Sequence, residues 1–230
     1  DDVAGVTGTP TAGLTTTEAG GTATFTVLLA SQPTADVTIG LSSSNLAEGT
    51  VGPASLTFTS ADWSAPQTVT VTGVDDAVAD GPIAYTIATA AAVSADPNYG
   101  GRDPADLAVT NADDDAAGIT VSPIAGLTTT EAGGTATFTV VLRSQPHADV
   151  IVGVSSSDLA EGTVAPASLT FSAVDWNVPQ TVTVTGVDDA VADGSVAYTV
   201  LTALAVTTDA DYSGMDAADV AVTNTDNDVV

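Results

Sequence analysis

The side chains in this chain that recur in clusters dense enough to do chemistry are carboxylates. The 230 residues carry 29 acids against two cations, Arg102 and Arg143, with no Lys, no Cys, one His and a formal net charge of −27. The acids gather in short segments: Glu18; Glu48 beside Asn45; Asp75, Asp76 and Asp80; and Asp113, Asp114 and Asp115. The same pattern returns 113 residues later as Glu131; Asp158 and Glu161; Asp188, Asp189 and Asp193; and Asp226, Asn227 and Asp228. Two carboxylates about 5 Å apart repel by roughly 3 kcal/mol at an effective dielectric near 20. With almost no basic side chains present, a bound cation is the available neutraliser. Oxygen ligands without His or Cys select hard ions, and Ca2+ accepts the six to eight flexible ligands that loops can offer, whereas Mg2+ demands a tight octahedron. The competing account is an acidic surface adapted to solubility or high salt. It predicts acids scattered along strand faces, and here they sit in turns between Thr-rich runs.

Other chemistries are poorly supplied. His147 aligns with Thr34 of the other copy, so a duplicated Ser-His-Asp arrangement is not available, and there is no G-x-S-x-G or phosphate loop. Asp75 and Asp76 could pair for glycoside hydrolysis, but with 4% aromatic residues no aromatic-lined cleft is expected. The expectation is a protein that is not an enzyme. Nucleic acid and anionic membrane surfaces need clustered Lys and Arg. No apolar run approaches the roughly 20 residues of a membrane helix, and no signal peptide is visible. Without Cys there are no disulfides and no thiolate metal sites. Asp96 and Asn98, with Asp209 and Asp211, stand in D-x-N and D-x-D spacings in a different loop; a second ion site and ordinary turn formation both account for them. Trp63 and Trp176 read better as core plugs than as a sugar-stacking platform, since neither has an aromatic neighbour in sequence.

These acids need loops, and the loops need strands. LTTTEAGGTATFTV at Leu14 returns at Leu127, and DWSAPQTVTVTGVDDAVADG at Asp62 returns nearly unchanged at Asp175, with no gap between copies. This is a tandem repeat. Its copies span residues 1–115 and 116–230, meeting with almost no linker. Asp1-Asp2-Val3 aligns with Asp114-Asp115-Ala116, and Val229-Val230 reads as the start of a further copy, so both ends are expected to be cuts in a longer array. Ala23, Phe25 and Val27 alternate with Thr22, Thr24 and Thr26, and Val69 and Val71 with Thr68, Thr70 and Thr72, which is the period of half-buried strands. Further strands are expected near residues 5–9, 37–43, 56–59, 83–89 and 106–111. About seven strands per copy predict two tandem immunoglobulin-like antiparallel β-sandwiches, all-β, with cores of small aliphatic side chains. Strands that alternate up and down bring the turns carrying Glu18, Glu48 and Asp75–Asp80, and the exit at Asp113, to one pole.

TTTEAGGTATFTVLL, VTVTGVDD and the terminal NADDD resemble the Calx-β repeat, a calcium-binding sandwich of exchangers and of bacterial surface adhesins and matrix proteins. The resemblance covers each copy nearly end to end. It implies Ca2+ as cofactor, held by Glu18, Asp75, Asp76, Asp113, Asp114 and Asp115, and by Glu131, Asp188, Asp189, Asp226 and Asp228. Asp80 and Asp193 fall where the family often has Glu. The family's second Glu in that loop is missing, Asn227 replaces one Asp, and SSSN stands where an Asp-Gly stretch is usual, which implies fewer or weaker ions. The implied role is a calcium-stiffened spacer in an extracellular array on a cell surface or in a secreted matrix, with neighbouring repeats as its partners. The alternatives are a subunit of a filament or lattice, and an adhesive module for a sugar or surface.

Overall fold

The computed structural model describes residues 3–229. Asp1, Asp2 and Val230, which enter the expectation about the chain ends, lie outside the described residues. The chain forms two compact units: one runs to Asp76 and resumes at Asp80–Asp114, and the other comprises Ala77–Ala79 and the chain from Asp115 onward. The described residues are all-β, without helix.

The first sandwich contains β1 (Val6–Thr9), β2 (Leu14–Thr17), β3 (Thr22–Leu29), β4 (Val37–Ser43), β5 (Gly49–Gly52), β6 (Ser55–Phe58), β7 (Gln67–Gly73), β8 (Ile83–Thr89), β9 (Val93–Ser94) and β10 (Leu107–Ala112). One sheet has the order β1-β3-β7-β5 and the other β2-β10-β8-β4-β6, with β9 paired to β4. All pairings are antiparallel except β2 with β10. The second sandwich repeats this with β11 (Ile119–Ser122), β12 (Leu127–Thr130), β13 (Thr135–Leu142), β14 (Val150–Ser156), β15 (Gly162–Ala165), β16 (Ser168–Phe171), β17 (Gln180–Gly186), β18 (Val196–Thr202) and β19 (Val220–Thr225). Its sheets run β11-β13-β17-β15 and β12-β19-β18-β14-β16.

Three elements per copy exceed the sequence expectation: β2, β5 and β9, the last reduced to an Ile151–Val206 bridge in the second copy. Each is four residues or fewer, and Gly or Pro flanks two of them, so no period-2 run is long enough to read. Gly13, at a φ of +77°, turns the chain between β1 and β2, which join opposite sheets. Pro53, which has no N–H for a ladder, separates β5 from β6, and these too join opposite sheets.

The alternation behaves as the period demands. Phe25, Val27 and Leu29 of β3 are buried, with the intervening Thr outward and paired across to the Thr residues of β7. Every Phe and Tyr of the chain is buried, so each core is aliphatic around four aromatic rings rather than aliphatic alone. A fully buried side chain of the Val or Phe kind contributes about 1.5–3 kcal/mol. Trp63 and Trp176 are half-buried and pack against their cores. The registers fix the pole: Thr22 lies opposite Thr72, Gly49 opposite Gly73, Ile83 opposite Asn111, and Ala112 beside Thr17. The turns after β2, β4 and β7 and the exit from β10 therefore share one end of the sandwich.

Candidate metal centre

At that end the carboxylates form two groups per sandwich. Oxygens of Glu18, Asp113 and Asp115 lie within 4.8 Å of one another, as do those of Glu48, Asp76 and Asp80; the second copy has Glu131, Asp226 and Asp228, and Glu161, Asp189 and Asp193.

The first group is made by the parallel pairing of β2 with β10. That register carries Glu18 to the start of the exit segment, where its backbone N–H donates to the Ala112 carbonyl at 3.0 Å. Glu18 is 2% exposed. Burial pushes its carboxyl up to about 7, the N–H donated by Asp114 opposes this, and the charges of Asp113 and Asp76 add to the rise. Its Oε2 is buried with no hydrogen-bond partner. In the second copy Glu131 Oε2 accepts the Asn227 N–H at 3.0 Å, which lowers its pKa. Burial and the charges of Asp226, Asp189 and Asp228 outweigh that bond and hold it above the usual range. Asp228 is also raised, by burial and then by Asp226, Asp188, Asp189 and Asp193, and its Oδ2 is buried without a partner. Asp226 is lowered by N–H groups of Asp228, at 2.6 Å, and Gly194, at 2.7 Å.

The second group is built on Glu48 and Glu161, both buried, at the end of the turn after β4 and β14. Each main-chain carbonyl accepts an N–H, from Val74 and Val187 respectively, at 3.0 Å. The sequence placed both residues at the acid pole without assigning them as ligands. The available signal was that each is the one glutamate of its turn. Asn45 and Asp158 shape those turns by accepting N–H from Ala47 and Ala160 at 3.1 and 3.0 Å. The two groups are joined: Asp113 Oδ2 accepts the Gly81 N–H at 2.6 Å, next to Asp80, and Asp226 does the same from Gly194, next to Asp193.

Asp75, Asp114 and Asp188 stand outside the four groups, with exposed side chains. Asp188 accepts from Asn227 Nδ2 at 3.1 Å. Asp114 serves Glu18 through its backbone N–H, as Asn227 serves Glu131. The Asp-to-Asn difference between the copies therefore removes no oxygen from a group. In the other loops, Asp96 accepts N–H from Thr34 and Asn98 at 2.7 and 2.8 Å, and Asp209 accepts from His147 and Asp211 at 2.6 and 2.9 Å. These buried aspartates tie loops together, and no acid group forms around them among the described residues. His147 is exposed.

The chemistry that fits is a hard cation. Two carboxylates at this separation repel by roughly 3 kcal/mol at an effective dielectric near 20, less where solvent reaches them. An ion converts the repulsion to attraction, and it supplies partners for buried oxygens that otherwise have none.

No protein-family model and no curated protein matches the chain. Among solved structures it is similar to the calcium-binding domain pair CBD12 of CALX1.1, with 18% identity over 87% of this chain and 80% of that one and a TM-score of 0.39. It is also similar to domains 4 and 5 of the S-layer protein SbsC, with 20% identity over 82% and 75% of the chains and a TM-score of 0.35. The YadV chaperone matches at 9% identity over 95% and 98%, with a TM-score of 0.37. Likeness of this degree assigns neither family nor function.

Proposed function

We propose that each module is a non-catalytic calcium-binding β-sandwich, with ions at the Glu18 and Glu48 groups and at their counterparts Glu131 and Glu161. The observation that carries this is the buried, unpartnered Glu18 Oε2, matched by Asp228 Oδ2, inside groups made of oxygen alone. Magnesium suits them less, because exposed acids such as Asp76 and Asp80 on a loop offer many adaptable oxygens rather than a rigid octahedron. Calcium bound only to the folded state adds about 2.7 kcal/mol per site at one hundred times Kd. Calorimetric titration with calcium, and melting in calcium against EDTA at matched ionic strength, test it. An unchanged Tm refutes it, because sodium screens general repulsion without filling a site.

The wider role we propose is a spacer repeat of an extracellular surface or matrix protein, stiffened by calcium. Near identity of two gapless copies supports a repeated mechanical unit over a recognition module. Small-angle scattering of this chain checks it: a longer, better-defined particle in calcium than in EDTA is expected, and identical profiles count against it.

A further inference from the structure

Behind each Glu48-type carboxylate lies a buried polar relay that the ion reading alone does not use. Thr16 and Asn111 occupy inward positions of β2 and β10 where the alternation calls for apolar residues, and both are fully buried. Asn111 Nδ2 faces the Val74 carbonyl at 3.0 Å, which can only accept, so the amide orientation is fixed. Its Oδ1 then accepts the single hydroxyl hydrogen of Thr16 at 2.8 Å. Thr16 Oγ1 is left to accept from the Tyr85 hydroxyl at 3.2 Å. The relay has one direction, from Tyr85 through Thr16 to Asn111, and the remaining Nδ2 hydrogen points at Glu48 Oε2, 3.4 Å away. The second copy repeats it through Tyr198, Thr129 and Asn224 to Glu161 Oε2 at 3.3 Å.

Space for this relay is built in. Gly49 and Gly73 face each other across β5 and β7; a Cβ on Gly49 would overlap the Tyr85 hydroxyl, and one on Gly73 would overlap Asn111 Oδ1 and the Thr17 carbonyl. Gly162 and Gly186 do the same around Tyr198 and Asn224. A buried polar chain is tolerable only when fully satisfied, and the glycines paired at these strand ends leave the space in which it is satisfied.

We infer that Asn111 and Asn224 are positioning residues for calcium, holding the Glu48 and Glu161 carboxylates in the orientation that ligates at the loop groups. This rests on the calcium reading proposed above. Such outer partners of a ligand change metal affinity by about 10–100-fold when removed. An Asp at this place would be acceptor-only, and a Leu would offer nothing.

The test is calcium calorimetry on the full two-module chain in two backgrounds. In Glu18→Gln/Glu131→Gln only the loop groups remain intact; in Glu48→Gln/Glu161→Gln only the other two do. Adding Asn111→Leu/Asn224→Leu is expected to weaken calcium about 10–100-fold in the first background and to leave it unchanged in the second. Thr16→Val/Thr129→Val, which keeps the shape and removes the hydroxyl hydrogen that the Asn111 and Asn224 Oδ1 atoms accept, is expected to act in the same background in the same direction; it carries the test if the Leu variant does not fold. Equal loss in both backgrounds, or unchanged affinity in the first, overturns the inference and leaves the relay as core packing. Absence of calcium binding by the unaltered chain refutes the ion reading itself.

Discussion

Replacing Glu18 and Glu131 by Gln should stabilise the protein without calcium and weaken it with calcium. In the ion-free protein the Glu18 carboxyl sits at about 7 instead of its ordinary 4.5. The folded state therefore binds more protons than the unfolded state between those values, and stability falls as pH rises through that window. The full displacement corresponds to about 3 kcal/mol at pH 8. The pole opens to solvent at Asp114 and Asp76, so screening leaves roughly 1–2 kcal/mol. For a module of this size that is about 4–8 °C in Tm. Glu131 is raised in the same direction and adds to the effect in its own module. The assay is a set of melting curves from pH 4.5 to 8 in EDTA and in calcium, at constant ionic strength. In EDTA the unaltered chain should lose stability as pH rises, while the double variant should be flatter and melt higher at pH 8. In calcium the order should invert, because the variant lacks a charged ligand in each module. Equal Tm values at pH 8 in EDTA, with the same pH slope, would refute the claim that these two carboxyls are the strained charges.

The remaining expectations concern loops and packing. Asp96→Ala with Asp209→Ala removes acceptors from two backbone N–H groups in each copy, so Tm should drop by several degrees while calorimetry shows unchanged calcium affinity. Because N–H groups hold the Asp96 carboxyl below its usual range, its contribution should persist at neutral pH and be lost only in acid, which an acid titration followed by circular dichroism checks. Gly49→Ala should destabilise the first module by about 1–3 kcal/mol in urea unfolding, since the added Cβ overlaps the Tyr85 hydroxyl; a neutral result would mean that the relay yields freely.

The class of fold, the repeat and the end of the sandwich where the acids meet are legible in the order of residues alone. Each follows from local information: Phe25 and Val27 alternating with Thr fixes a strand and its inward face, and antiparallel alternation then sends Glu18, Glu48, Asp80 and Asp113 to one pole. Which acids group together was not local. Asp114 and Asp75 look equivalent to Asp113 and Asp76 in sequence, yet successive residues of an extended segment point to opposite sides, so only one of each pair joins a group. Glu48 became part of a group only through Val74 and Asn111, residues distant in sequence that register brings beside it. The short strands were hidden because four residues bounded by Gly or Pro carry too little periodicity, and only tertiary pairing with β7 and β10 makes β5 and β2 strands at all. Asn111 continues the buried phase of Leu107 and Val109 in its strand, whereas Thr16 lies in a segment whose strand character the sequence does not show. What they bond, and why Gly49 and Gly73 must lack side chains, was decided by packing between sheets, where desolvation forces each buried polar group to find a partner.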